Sequence, residues 1–196
     1  MARHRSPFTE WVFLEWDELV LAKGRKLSLE ERRRRAHELL DKTFKGEQWT
    51  VGVWDAGIVA SLVGHLALEA KDWLFASEVA RRMMSHPEFG QDEVAKETVI
   101  GIEAVAEAMC GNWEALSGLS DLIRMRKRPP HGARIWIGGL VQELGAENPV
   151  RPDVVRLTVE LILAYPNMKR LARRAALAKT NRDLLDAIDG TYDRPP

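Results

Sequence analysis

The sequence predicts an all-α protein, an α-α superhelix of about four stacked helical hairpins followed by a C-terminal helix. Signals that begin and end helices recur along the 196 residues, whereas the sustained apolar–polar alternation typical of strands is lacking. Hairpin starts near Asp55, Asp92 and Gly132 follow one another at intervals of roughly 37 to 40 residues, the range of helical repeats. Together these observations predict a short array of repeats.

Polar caps and glycine stops define the helices at the N-terminal end. Ser6 caps a first helix, which has a proline in its first turn and ends at Gly24. Ser28 and Glu31 have the spacing of a capping box, which opens a second helix that ends near Gly46. The links between several later helices are so short that antiparallel neighbours are expected.

The remaining helices begin and end at comparable signals. In order, we place them from Asp55 to about Ala70, Asp72 to Ser85, Asp92 to Gly111, Asn112 to Arg128, Arg134 to Leu144, Pro152 to Tyr165, and Met168 to Asp189. Residues 1–190 are predicted to form a single domain with no internal boundary, and the tail over 191–196 is predicted to be frayed.

The composition is that of a globular protein, with 45% hydrophobic and 30% charged residues. The 29 basic residues balance the 29 acidic ones, so no overall field attracts the chain to nucleic acid or to a membrane surface. Cys110 is the single cysteine, which excludes an intrachain disulfide. Acidic residues such as Glu10 and Glu15 argue against a signal peptide, and no apolar run has the length of a membrane span. We therefore expect a cytoplasmic protein without a membrane segment.

The stretch from Leu62 to Pro87 carries small residues, an aromatic residue and a proline at characteristic spacings, namely Gly64, Trp73, Ala76, Ala80 and Pro87. This pattern resembles the hairpin of tetratricopeptide repeats. A weaker version follows at Ala104 and 111–116, where the alanine is one position early and no closing proline stands at the expected distance. The resemblance implies a superhelix whose first helices line a concave binding face. The family's Lys and Asn grip for a terminal carboxylate is absent.

Two pairs of polar residues fall on that implied face. His65 and Glu69 are four residues apart on one helix face, with Asp72 one turn further, which is how a metal site or an acid–base pair can begin. A second histidine at motif spacing is missing, and the alternative is a hydrogen-bonded pair on a groove-facing surface. Glu103 and Glu107 have the same spacing, face the same way, and are either a solvated face or a carboxylate dyad. We predict no metal, no cofactor and no catalytic residues, so an enzyme ranks behind the other functions.

Basic clusters supply the alternative function. Four consecutive helical residues wrap about 300° of a helix, so the run Arg32 to Arg35 cannot form one basic face, and at least one of these side chains must lie along a neighbouring helix. A denser cluster surrounds the predicted helix end before residue 129, and the helix dipole alone favours cations there. If it forms a continuous surface, it is a candidate for binding RNA or DNA through Arg124, Arg126, Lys127, Arg128 and Arg134.

Apolar residues cover nearly every side of the predicted first helix, unlike the polar outer face of an ordinary terminal repeat. This helix is therefore either enclosed by the fold or exposed as a patch for a partner, with Trp11 and Trp16 as anchors. The second alternative predicts a homodimer or an obligate partner.

The leading functional prediction is a non-catalytic protein-binding scaffold or adaptor. Its predicted contact residues are His65, Glu69, Glu103 and Glu107 on the concave face, together with Trp11 and Trp16. The alternative is a regulator that binds RNA or DNA through the basic cluster over 124–134.

Overall fold

The computed structural model describes residues 8, 10–12, 14, 27–46, 48–125, 151–178 and 181–190. These residues are helical apart from connecting turns and one two-stranded sheet, which confirms the predicted all-α class. The helices are α1 (Leu29–Thr43), α2 (Val53–Glu69), α3 (Trp73–Met84), α4 (Glu93–Met109), α5 (Leu116–Met125), α6 (Pro152–Ala164), α7 (Lys169–Ala178) and α8 (Arg182–Gly190). Short 3-10 turns cover Phe89–Gln91, Trp113–Ala115 and Pro166–Met168. No helix in the described part of the chain is long and apolar enough to cross a bilayer.

The chain divides into two compact units between Val99 and Ile100, inside α4. The first unit contains α1 to α3 and the start of α4, and the second contains the rest of α4 and α5 to α8. The single domain predicted over residues 1–190 and the superhelical stacking of the hairpins stay predictions.

In the first unit, α2 is apolar on nearly all sides and packs against both α1 and α3. A helix without a polar face has to be surrounded, because each exposed apolar side would lose the hydrophobic stabilisation that burial provides. Its buried side chains cover about two thirds of the helix circumference, and the fully buried ones include Ala56, Val59, Leu62, Val63, Leu66 and Ala67.

A small β-hairpin follows α1, where the sequence predicts a helix that ends near Gly46. The helix ends at Thr43, and β1 (Phe44–Lys45) pairs antiparallel with β2 (Gln48–Trp49). The Phe44 and Trp49 rings meet edge to face at 5.3 Å, and the Trp49 indole N–H donates to the Arg82 carbonyl over 3.0 Å. These aromatic contacts hold the hairpin against the C-terminal end of α3. Strands of two residues are too short for an alternating pattern to predict them.

The turn between α2 and α3 is a Schellman motif, in which a left-handed residue ends the helix. Lys71 has φ +58° and donates its N–H to the Leu68 carbonyl over 3.0 Å. The next N–H, of Asp72, bonds to the Ala67 carbonyl over 2.9 Å. The motif satisfies carbonyls at the helix end, but it places a side chain where glycine is the usual residue.

The turn that ends α4 repeats this geometry. Gly111 has φ +97° and bonds to the Ala108 carbonyl, while the Asn112 N–H bonds to the Glu107 carbonyl, both over 2.9 Å. α2 and α4 are both 17 residues long. A tryptophan, Trp73 or Trp113, stands two residues after the left-handed residue in each turn. Two segments of the chain thus have the same helix length and the same turn.

Several predicted helix starts are confirmed. The Ser28 hydroxyl accepts the Glu31 N–H over 3.1 Å at the start of α1, and Asp92 accepts the N–H groups of Val94 and Ala95 at the start of α4, each over 3.1 Å. Asp72 stands at the N-cap position of α3 but makes no capping hydrogen bond, contrary to the prediction. Its carboxylate faces Arg33 of α1 instead.

In the second unit, α5 and α6 run parallel. Their contacts advance along both segments in the same direction: the Arg151 guanidinium lies 3.6 Å from the centre of the Trp113 ring, Ser120 donates to Glu160, and the Tyr165 hydroxyl donates to the Ile123 carbonyl over 3.1 Å. The helix predicted from Arg134 to Leu144 lies outside the described residues.

The last predicted helix, from Met168 to Asp189, is wrong because two helices occupy this range. α8 begins at its own cap, where the buried Asn181 side chain accepts the Leu184 N–H over 3.1 Å. The chain then turns back, since Arg173 of α7 pairs with Asp189 over 3.0 Å. Asn at an N-cap satisfies an otherwise unpaired N–H and so favours a new helix over a continuous one.

Gly57 lies against the start of α4, and a side chain there has no room. We expect Gly57→Ala to destabilise the protein, because its Cβ would lie 2.4 Å from the Ala95 Cβ. Gly118→Ala is the matched control in α5, where nothing lies within 4 Å, and it should add up to about 1 kcal/mol through helix propensity. Urea unfolding of both variants measures the difference, and equal stability of Gly57→Ala and wild type would contradict this packing.

The two Schellman turns predict opposite effects of substitution. Lys71→Gly should stabilise the protein by roughly 1 kcal/mol, since glycine removes the steric cost of the left-handed conformation. Gly111→Ala should destabilise it by a similar amount, for the same reason in reverse. Thermal unfolding monitored by circular dichroism tests both, and shifts of the same sign would show that the turns differ.

Candidate functional site

The side chains of α2 that retain solvent contact fall almost entirely on one narrow stripe. We call this set the α2 stripe, and it consists of Trp54, Ile58, Ser61, His65 and Glu69. Successive members are three or four residues apart, so they lie above one another along the helix. Trp54 is 50% exposed at the N-terminal end, and the polar pair is at the C-terminal end. The stripe is the open side of an otherwise enclosed helix.

The structure brings His65 and Glu69 together, as their spacing predicts. The His65 Nε2 lies 3.1 Å from Glu69 Oε1, and the other Glu69 oxygen forms an ion pair with Arg32 of α1. The Arg32 side chain is 18% exposed and the Glu69 side chain 36% exposed, so the pair is only partly shielded from water. The polar end of the α2 stripe is therefore a cross-helix network that ties α1 to α2.

The electrostatics of this network keep His65 neutral. Burial, and then the nearby Arg32 charge, lower the pKa of His65 from 6.5 to about 4. A neutral imidazole with Nε2–H donates to the Glu69 carboxylate, and at neutral pH it has no proton to supply as a general acid. The described residues contain no group of three or more His, Cys, Asp or Glu side chains arranged for a metal ion. The arrangement is suited to holding a fixed hydrogen-bonding surface.

The arginine run divides its side chains between two helices. Arg33 lies 3.6 Å from the Asp72 carboxylate and donates to the Ala70 carbonyl over 3.4 Å, at the C-terminal end of α2. Arg34 pairs instead with Glu38 on its own helix. The prediction that at least one of these arginines lies along a neighbouring helix is confirmed. Cations at a helix C-terminus also interact favourably with its dipole.

Glu103 and Glu107 lie in the second unit, one turn apart on α4, and both are half-buried. The Asn112 side-chain amide donates to Glu107 over 3.2 Å, so this carboxylate also helps to hold the turn after α4. The prediction that these two residues share a concave face with His65 and Glu69 stays a prediction.

Of the predicted nucleic-acid contacts, the structure describes Arg124. Its guanidinium donates to Glu160 of α6 over 3.0 Å and lies 3.9 Å from Asp121. Burial raises the pKa of Glu160, but the hydrogen bonds from Ser120 and Arg124 and the charges of Arg124 and Arg156 outweigh it and keep this pKa below its usual value. Arg124 thus helps to join α5 to α6. The remaining members of the cluster lie outside the described residues, namely Arg126, Lys127, Arg128 and Arg134.

Trp11 is half-buried in the N-terminal helical segment, with the Lys42 ammonium 4.7 Å from its ring centre and the Phe8 ring 5.6 Å away. Val12 is fully buried, whereas Leu14 is 64% exposed. Which of the two predicted alternatives holds for the first helix stays a prediction, because most of that helix lies outside the described residues. Trp16, the second predicted anchor, lies outside the described residues.

Sequence reasoning missed Trp54 as a surface residue. The sequence does predict which helix face Trp54 lies on, because Trp54 stands four residues before Ile58 and so shares a face with His65 and Glu69. The spacing does not predict the solvent exposure of Trp54, because that exposure depends on which sides of α2 the neighbouring helices cover. Comparison with models of protein families, with curated proteins and with solved structures found no match to this chain.

The low pKa of His65 predicts an acid-sensitive fold. The unfolded chain binds this proton near pH 6.5 and the folded protein only near pH 4, so stability is full above the first value and falls as the pH drops towards the second. We expect a loss of at most about 1.4 kcal/mol per pH unit inside that window. Urea unfolding at several pH values measures it. His65→Asn should remove this slope and His86→Asn should keep it; identical slopes in all three proteins would refute the assignment.

Proposed function

We propose that this protein is a non-catalytic protein-binding scaffold and that the α2 stripe is a contact surface. The observation that supports this is the open stripe along an otherwise buried helix. A stripe that neighbouring helices leave open gives a partner segment a surface to pack against. The half-exposed Trp54 at one end is the residue type that most often anchors such contacts.

The polar end of the α2 stripe supports the proposal through its rigidity. His65, Glu69 and Arg32 hold one another through ion-pair and hydrogen-bond contacts. A surface whose side chains are already fixed loses little conformational entropy when a partner binds. Trp54 as an apolar anchor and the fixed polar pair 11 and 15 residues further along the same helix face would define both affinity and orientation.

The wider proposal is a tetratricopeptide-like superhelix with a concave face. Two features are consistent with such a repeat, namely the equal lengths of α2 and α4 and the common turn at Lys71 and Gly111. In that arrangement Glu103 and Glu107 would continue the contact surface, and the N-terminal segment with Trp11 and Trp16 would offer a second one, including for a homodimer. The proposal places the protein in the cytoplasm, as the single cysteine suggests.

The test of this proposal is affinity capture from native lysate with three proteins: wild type, Trp54→Glu and Leu74→Glu. Leu74 is the matched control, since it is 76% exposed on α3 and lies off the α2 stripe. We expect a defined set of proteins, resistant to nuclease, that wild type and Leu74→Glu retain and Trp54→Glu loses. Circular dichroism checks that both variants stay folded. Equal recovery with all three proteins would exclude the α2 stripe as the contact surface.

The alternative, binding of RNA or DNA through residues 124–134, has its own readout in the same experiment. Partners that disappear with nuclease, and an affinity that falls steeply with salt, would favour it. The ion pair of Arg124 with Glu160 reduces what this residue can give to a phosphate, so the alternative depends mainly on residues 126–134.

A further inference from the structure

The basic residues of α7 divide into two groups that face different surroundings. Lys169 and Arg173 bind the last turn of α8: the Lys169 ammonium donates to the Asp189 carbonyl over 3.3 Å, and the Arg173 guanidinium bonds to the Asp189 carboxylate over 3.0 Å. Arg170 and Arg174 are exposed and form no ion pair with any residue in the described ranges. One group thus holds the hairpin of α7 and α8, and the other points away from it.

The exposed pair lies on the outermost side of the helix. Arg170, Arg174 and Leu177 fall within an arc of roughly 60°, opposite the buried alanines of α7. Leu177 is 49% exposed, and Leu171, which lies about 60° beyond this arc, is 37% exposed, so the four residues together span about 120° of the helix. We call these four residues the α7 face. Cationic and apolar side chains alternate on it within two helical turns.

Within the described residues, no carboxylate forms an ion pair with Arg170 or Arg174 on the α7 face. Like charges at positions i and i+4 of a helix repel and cost a few tenths of a kcal/mol. Many arginines elsewhere in the described ranges have a carboxylate partner instead, namely Arg32, Arg33, Arg34, Arg82, Arg124, Arg151 and Arg173. Arg170 and Arg174 therefore have their guanidinium groups available for carboxylates from outside, which they can bind in bidentate geometry.

We infer that the α7 face binds an acidic, leucine-bearing helical segment of a partner protein. Carboxylates one turn apart on such a segment would match the spacing of Arg170 and Arg174, and its apolar side chains would cover Leu171 and Leu177. A nucleic acid fits this face less well, because single strands bind through aromatic stacking and the face offers leucines in those places. This inference does not depend on the α2 stripe, so either surface can fail without the other.

A synthetic helix tests the inference directly. The probe is a fluorescent peptide with leucines on one face flanked by glutamates at i and i+4, measured by fluorescence anisotropy with the full chain. Binding should occur and weaken with salt. The double variant Arg170→Glu with Arg174→Glu should bind about tenfold more weakly, since two charge pairs become repulsive. Arg182→Glu, an exposed site on α8, is the matched control and should bind like wild type.

A charge-swapped peptide, with lysines in place of the glutamates, separates a specific surface from general attraction. The double variant should bind this peptide better than wild type does, because the charges again complement each other. A scrambled acidic peptide that binds as tightly as the helix would overturn the inference. So would a peptide that does not bind at all, or an unstructured RNA oligonucleotide that binds in its place and depends on Arg170 and Arg174.

Discussion

In the first unit, α1, α3 and the first turn of α4 each cover one side of α2, whose apolar residues have no other way to leave water. The cover from α4 is close, because Gly57 has no Cβ and so allows Ala95 to approach. Polar contacts join α1 to the C-terminal end of α2, where Arg32 pairs with Glu69 and Arg33 donates to the Ala70 carbonyl. The open stripe is what these three neighbours leave uncovered, so its position follows from the packing.

Local signals in the sequence were sufficient wherever the interaction itself is local. The starts of α1 and α4 were predicted correctly because Ser28 and Asp92 bond to N–H groups within three residues. Asp72 is also an aspartate at an N-cap position, yet its carboxylate pairs with Arg33 of α1 and does not cap α3. The start of a separate helix α8 was not predicted, because the helical spacing of apolar residues continues without interruption across Asn181. The β-hairpin was missed because Trp49 is held by a carbonyl of α3, distant in the chain.

In the candidate site too, the sequence predicts the contacts within one helix and misses those between helices. The pairing of His65 with Glu69 follows from helical spacing alone, and the sequence predicts it. Arg32, which completes the network and helps to keep the imidazole neutral, comes from a different helix, and no spacing rule connects it to Glu69. The cation cluster near Arg124 illustrates the converse, because a run of like charges cannot show that one member already has a carboxylate partner in Glu160.

The parallel arrangement of α5 and α6 has a consequence for how the chain folds. Their contacts join residues 36 to 42 positions apart, whereas α2 and α3 meet across a turn of a few residues. Closing a long loop costs more entropy before any contact compensates for it, and chains rich in short-range contacts fold faster. The hairpin of α2 and α3 is thus placed to form early, and the junction between α5 and α6, which joins residues 36 to 42 positions apart, is placed to form later.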